Sequence, residues 1–211
     1  MGFAFVYLRI VMPQLLLATN NQGKVAEFRQ LLEGCGWELV TPADIGLDLH
    51  VDETGQSYAE NAIIKAEAYA KASGLVTLAD DSGLEVDALG GRPGPLSARY
   101  AGRDRTDEER VQALLQELAG ISDEERSARF RCVIAIAEPH GRVELVEGTV
   151  EGRIAHEPRG ENGFGYDPVF LLPERGLTAA ELPPGEKNAV SHRGAATQEA
   201  RTVLERWLRE A

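Results

Sequence analysis

Between Ser57 and Ala79 the chain changes its hydrophobic period, and that change constrains the fold more than any other feature. Ser57 to Ser73 is rich in Ala, Glu and Lys and stops before Gly74, the pattern of a helix with a glycine just past its end. Leu75–Ala79 is then a short apolar run of the kind that forms a buried strand, and it delivers Asp80 and Asp81 at its C-terminal end. The same grammar recurs along the chain. Gln14–Ala18 reads as a buried strand that stops at Thr19-Asn20-Asn21, and from Lys24 to Cys35 the residues Val25, Phe28, Leu31 and Leu32 fall at helical spacing. Gly34 and Gly36 stop that helix, and Trp37–Thr41 resumes as a strand.

Further along, Leu84–Leu89 alternates apolar and polar before the breaker-rich run at 90–95. Thr106 and Glu109 fit a capping box that opens a helix running to Leu118. Ala128–Ala137 and Val143–Val150 flank Pro139-His140-Gly141 as a hairpin, and Val169–Leu172 is a further strand. Ser191 or a neighbour caps a last helix reaching Arg209, with Val203, Leu204, Trp207 and Leu208 inward. Helices interleave with both parallel-type and hairpin strands, so the expected class is α/β with a mixed sheet and flanking helices.

Composition narrows the function. The 211 residues suit one α/β unit: residues 13–211 are expected to form a single domain, with 1–12 as an N-terminal extension and Met12 as an alternative start. The apolar stretch in those first residues lacks a preceding basic segment and a small-residue cleavage site, and is too short to span a bilayer. A net charge of −12 repels nucleic-acid backbones and anionic lipid, so a polyphosphate ligand needs a local cationic pocket and a divalent ion. The two cysteines, Cys35 and Cys132, have no metal-binding spacing and point to a reducing compartment, the cytoplasm.

Five blocks carry chemistry. Thr19-Asn20-Asn21-Gln22-Gly23-Lys24 follows a strand and opens a helix, where free N–H groups and a mobile lysine suit phosphate. It is not a Walker A loop, because Ala18 stands where the first Gly should be and Val25 follows Lys24. Asp80-Asp81-Ser82-Gly83 offers adjacent carboxylates that, in a strand, point to opposite faces, and one of them suits Mg²⁺. Glu53, with Asp52 as its competitor, is the candidate second metal carboxylate, and Lys65 is a candidate phosphate cation on the same helix as Asn61. Phe164-Gly165-Tyr166-Asp167 puts a ring and a carboxylate in a glycine-rich loop, suited to a heterocycle. Lys187 with Ser191-His192-Arg193 gathers hydrogen-bonding side chains at a helix start.

In this order and spacing, the blocks resemble the inosine triphosphate pyrophosphatase family, the non-canonical purine nucleoside triphosphate pyrophosphatases, over residues 14–209. The resemblance implies an elongated mixed sheet with two lobes around a central cleft, usually in a homodimer. It implies Mg²⁺-dependent cleavage of ITP, dITP or XTP to the monophosphate and pyrophosphate. On it, Thr19–Lys24 hold the phosphates, Asp81 is general base and metal ligand, and Glu53 is the second ligand. Ser82 touches substrate, and Phe164, Gly165, Tyr166, Asp167, Lys187, His192 and Arg193 bind base and sugar. A Maf-like pyrophosphatase for pyrimidine or modified nucleotides and a non-hydrolytic nucleotide sensor are the competing readings, and the intact Asp81 argues against the sensor.

Overall fold

The computed structural model describes residues 12–210; the expected extension at 1–12 lies almost wholly outside them. Seven strands of the described residues form one sheet: β1 (Gln14–Leu17), β2 (Glu38–Val40), β3 (Val76–Val86), β4 (Ser127–Ala137), β5 (Val143–Ile154), β6 (Phe170–Leu172) and β7 (Leu177–Thr178). Their spatial order is β2-β1-β3-β4-β5-β6-β7. β1 runs parallel to β2 and β3, whereas every pair from β3 to β7 is antiparallel, so the mixed α/β sheet is borne out. Among the described residues, five α-helices flank it: α1 (Gln22–Leu31), α2 (Tyr58–Ser73), α3 (Asp107–Glu117), α4 (Pro184–Val190) and α5 (His192–Glu210). None of the described helices is long and apolar enough to cross a membrane.

Local signals account for most boundaries. Ser57 caps α2 by accepting from the Glu60 N–H at 3.2 Å, and Gly74 ends it in the left-handed region at φ 73°. Thr106 and Glu109 form both bonds of the capping box that opens α3. Ser191 accepts from the Gly194 N–H at 2.9 Å and so starts α5.

The period-two alternation of the central strands sorts side chains between two cores. Leu78 on β3 with Cys132, Ile134 and Ile136 on β4 faces α1 and α5, against Phe28, Val203, Leu204 and Trp207. Ala79, Val133 and Ala135 face the opposite way, against Tyr58, Ala62, Ala66 and Tyr69 of α2. A third cluster packs α3 on the far ends of β3 and β4 through Leu84, Val86, Leu114, Leu118 and Phe130. The close seating of α5 needs Gly148 on β5, since a Cβ there would lie 2.3 Å from the His192 carbonyl oxygen.

Three expectations change. β3 does not end at Ala79: it runs unbroken through Asp80, Asp81, Ser82 and Gly83, each residue paired with β4. Two carboxylates and a glycine imitate a strand end, but here each carboxylate meets a cation or amide from a helix on its own face. Gly83 makes room rather than a turn, because an added Cβ would come within 2.3 Å of the Gly94 carbonyl oxygen. α1 begins at Gln22, two residues before Lys24, with Asn21 as its N-cap. α4 was not foreseen: Pro183-Pro184-Gly185 reads as a breaker, yet Pro184 occupies a first-turn position where its missing N–H costs nothing.

Candidate active site

A cavity of about 390 Å³ opens where β3, α1, α2, the loop at 163–167 and the α4–α5 junction meet. Six cationic side chains line it, Lys24, Lys65, Arg99, Arg110, Lys187 and Arg193, against four carboxylates, Glu53, Asp81, Asp107 and Asp167. A protein of net charge −12 therefore concentrates positive charge at one place, as the charge argument requires.

The two carboxylates of β3 part company as strand geometry demands. Asp80 turns to the α1 and α5 face, where Lys24 Nζ lies 2.9 Å and Arg193 Nη2 3.1 Å from its Oδ2. Burial alone would push this carboxyl up, but Lys24, Arg193 and Lys65 outweigh it and hold it far below the usual carboxylate range. Asp80 is thus a permanent anion that anchors cations. Asp81 turns the other way, into the cavity; its Oδ2 accepts from Asn61 Nδ2 at 3.0 Å and its Oδ1 from the Ser82 N–H at 3.0 Å. Burial raises the Asp81 carboxyl, Lys65 and Asn61 oppose this, and the Glu53 carboxylate adds to the rise.

Glu53 reaches the cavity from the loop before α2, with its Oε1 2.8 Å from Lys65 Nζ. Asp52 points to solvent beside His50, at 3.3 Å, so of the two acids only Glu53 lines the cavity. Glu53 and Asp81 fit a magnesium ion: they are hard oxygen donors lining the same cavity, the Glu53 charge is felt by Asp81, and open space is left for phosphate oxygens and water. No cluster of three or more His, Cys, Asp or Glu suited to a metal occurs among the described residues, and magnesium takes one or two protein carboxylates.

At the other end, Phe164, Gly165, Tyr166 and Asp167 curve around the cavity. Gly163 permits the bend at φ 77°, where a Cβ would strike Asp167 Oδ2. The Phe164 N–H donates to Asp167 Oδ2 at 2.9 Å and the Gly165 N–H to Asp107 Oδ2 at 2.8 Å, so the loop is fixed from both sides. Tyr166 is an anchor more than a surface group: its ring is buried in the α3 cluster and its hydroxyl donates to the Ser97 carbonyl at 3.0 Å. Lys187 Nζ lies 4.8 Å and the Arg193 guanidinium 5.7 Å from the Phe164 ring centroid, within cation–π reach.

His192 stacks on Phe130 at 4.7 Å between centroids. Its burial, with Arg193 and Lys187 beside it, holds the imidazole well below its usual pKa, so it stands neutral at pH 7, one nitrogen donating and one accepting. Arg193 is 2% exposed; its Nη1 and Nη2 donate to Glu27, Asp80 and Ser82, while its buried Nε has no hydrogen-bond partner among the described residues.

Of the anticipated residues, the cavity brings together Asn21, Lys24, Glu53, Lys65, Asp81, Ser82, the four of the 164–167 loop, Lys187, His192 and Arg193. Thr19, Asn20, Gln22 and Gly23 do not line it. Thr19 Oγ1 accepts from the Asn21 N–H at 3.2 Å, and Gln22 donates to the Asn20 carbonyl, so these side chains shape the loop. Gly23 lies against the Phe164 ring, 2.5 Å from where a Cβ would be.

Sequence reasoning missed Glu27, the buried acceptor of both Lys187 at 2.7 Å and Arg193 at 2.6 Å, as well as Arg99, Asp107 and Arg110. The signal for Glu27 was its position one turn after Lys24, beside the inward Phe28.

Against known proteins, the model of the Ham1 family matches residues 15–203. The chain belongs to the Ham1 family. It is 50% identical over 196 residues to the dITP/XTP pyrophosphatase of Bacillus subtilis, covering 93% of this chain and 99% of that one. The solved HAM1 protein of Coxiella burnetii superposes with a TM-score of 0.83 at 46% identity, covering 95% of this chain and all of that one, 100%. The Ham1 protein of Staphylococcus aureus gives 0.81 at 42% identity over 91% of this chain and 98% of its own. Family membership bears out the resemblance drawn from the motifs, and the likeness to both solved structures extends over nearly the whole fold.

Proposed function

We propose that this Ham1 protein hydrolyses non-canonical purine nucleoside triphosphates, ITP, dITP and XTP, to the nucleoside monophosphate and pyrophosphate. The observation that carries the reading is one cavity with a lysine-and-carboxylate end, Lys24, Lys65, Asp81 and Glu53, and a ring-and-imidazole end, Phe164 and His192. That polarity matches a nucleotide with its phosphates on one side and its base on the other. The named activity of close relatives, such as the Bacillus subtilis enzyme, supports the same choice.

Mechanistically, water attacks the α-phosphorus, the bond from that phosphorus to the bridging oxygen breaks, and pyrophosphate leaves with the electron pair. Asp81, carboxylate facing the cavity and oriented by Asn61, accepts the water's proton. Lys24 and Lys65 offset the phosphate charge as the bond opens, and Glu53 and Asp81 would hold magnesium. When bound, that ion supplies a Lewis acid for the phosphate oxygens and a more acidic water. Phe164 and His192 receive the base, and the neutral imidazole can serve a 6-oxo purine without an added charge. Donors placed for a 6-oxo group meet the donor face of a 6-amino group, and such mismatch discriminates by up to ~10⁴.

The same reading places the enzyme in the cytoplasm, where Cys35 and Cys132 stay free thiols, with magnesium as cofactor and a homodimer as the working form. The test is pyrophosphate release with Mg²⁺ over ITP, XTP, GTP, ATP, dTTP and UTP, run in heavy-oxygen water. Preference for ITP and XTP, with label in the monophosphate, is expected. Preference for dTTP or UTP favours the Maf-like activity, and binding without turnover favours the sensor. Label only in pyrophosphate overturns attack at the α-phosphorus. Light scattering in solution tests the dimer.

A further inference from the structure

Five of the six cationic side chains of the cavity each rest on a carboxylate. Lys24 is against Asp80, Lys65 against Glu53, Arg110 against Asp107, and Lys187 and Arg193 both against Glu27. Arg99 is the exception. Among the described residues it has no ion-pair partner, and its one hydrogen bond is a long one, 3.5 Å, to the Glu53 backbone carbonyl. With 34 acidic against 22 basic residues in the chain, a half-buried guanidinium with no carboxylate oxygen within 4 Å among the described residues is a charge left open for an anion.

Its position is held firmly. Arg99 ends the 3₁₀ segment Gly94–Arg99, and Ser97 within that segment is clamped from three directions. Ser97 Oγ accepts from the Leu84 N–H of β3 at 2.9 Å and donates to the Gly94 carbonyl at 2.6 Å, while Tyr166 donates to the Ser97 carbonyl at 3.0 Å. The segment is therefore fixed both to the strand that carries Asp81 and to the loop that carries Phe164. Arg99 also belongs to the phosphate end of the cavity. Its guanidinium reaches the backbone of Glu53, the acid of that end, whereas Asp167 at the base end pairs with Lys187.

We propose that Arg99 is a further substrate-binding residue, gripping the terminal phosphates of the substrate and then the pyrophosphate as it departs. A planar guanidinium fork matches two phosphate oxygens at once, which the lysines at Lys24 and Lys65 cannot do. Arg99 meets the half of the nucleotide that leaves, while the base-end residues meet the half that stays. The inference rests on reading the cavity as a triphosphate site.

The test compares product inhibition of ITP cleavage by pyrophosphate and by IMP, with Mg²⁺ present, in the wild type, Arg99→Ala, Arg99→Gln and Arg99→Lys. Loss of the charged contact is expected to weaken inhibition by pyrophosphate roughly 10- to 150-fold, the equivalent of about 1.5–3 kcal/mol, and to leave IMP inhibition unchanged. Arg99→Lys should restore part of the pyrophosphate affinity, because it returns charge without the fork. Pyrophosphate inhibition unchanged in the alanine variant would overturn the proposal, as would an equal weakening for IMP, which marks a general disturbance of the site. If the alanine variant does not fold, the glutamine variant decides by the same two constants. Failure of the underlying reading shows elsewhere, in a wild type that neither cleaves ITP nor is inhibited by pyrophosphate.

Discussion

Replacing Glu27 by Gln tests the electrostatic core of the site, because the substitution keeps shape and removes one charge. Three buried anions, Glu27, Asp80 and Asp167, are interleaved with three cations, Lys24, Lys187 and Arg193, so the cluster is neutral as a whole. Glu27→Gln leaves it with one excess positive charge. Two hydrogen bonds to a charged acceptor are lost, each worth about 1.5–3 kcal/mol, and the amide oxygen regains one neutral bond of about 1 kcal/mol. Lys187 keeps Asp167 and Arg193 keeps Asp80, which limits the damage relative to a fully orphaned buried ion. The expected loss is about 2–5 kcal/mol at pH 7, read by urea unfolding followed by circular dichroism.

The pH dependence of that loss has a definite sign. Burial would raise the Glu27 carboxyl, but Arg193 and Lys187 hold it below its ordinary 4.5. A depressed folded-state pKa means stabilisation fully present above about 4.5 and lost as pH falls through the lower folded value. The gap between wild type and variant should therefore be constant from neutrality down to that point and close below it. A gap under ~0.5 kcal/mol at pH 7, within the range of an ordinary surface change, would refute the argument, and so would one that widens in acid.

Asp81→Asn removes the proposed proton acceptor and should lower kcat by about 10²–10⁴-fold in a pyrophosphate-release assay, with Asn61 still able to hold the side chain in place. His192 should remain neutral through the ordinary imidazole range: its ring resonances in a titration followed by NMR should not move between pH 8 and 5.5, because burial and the cations Arg193 and Lys187 disfavour its charged form. Gly148→Ala forces a methyl to within 2.3 Å of the His192 carbonyl oxygen and 2.4 Å of the Ala196 nitrogen, so α5 must lift from the sheet. A loss of about 1–3 kcal/mol in urea unfolding is expected, with a rise in KM because His192 and Arg193 begin that helix.

What could be read from the sequence divides by range. Helix starts at Ser57 and Thr106 were legible because a cap and its partner lie within three residues of one another. The mixed sheet was legible because apolar runs and breakers report burial locally. The course of β3 was not, because Asp80 and Asp81 are tolerable mid-strand only through partners at positions 24, 61, 65 and 193, none adjacent in sequence. The same holds for Glu27, whose role exists only once α4 and α5 bring Lys187 and Arg193 against α1. Two cations buried at the end of an acidic chain nevertheless demand a buried acid from elsewhere, since an unpaired interior charge is costly. Of the acids on helix faces that turn inward, Glu27 is the one beside Phe28 and a turn from Lys24, so charge balance combined with helical phase would have selected it. Burial of Lys187 itself was the missing step, hidden because the two prolines before it read as a loop while in fact they begin α4.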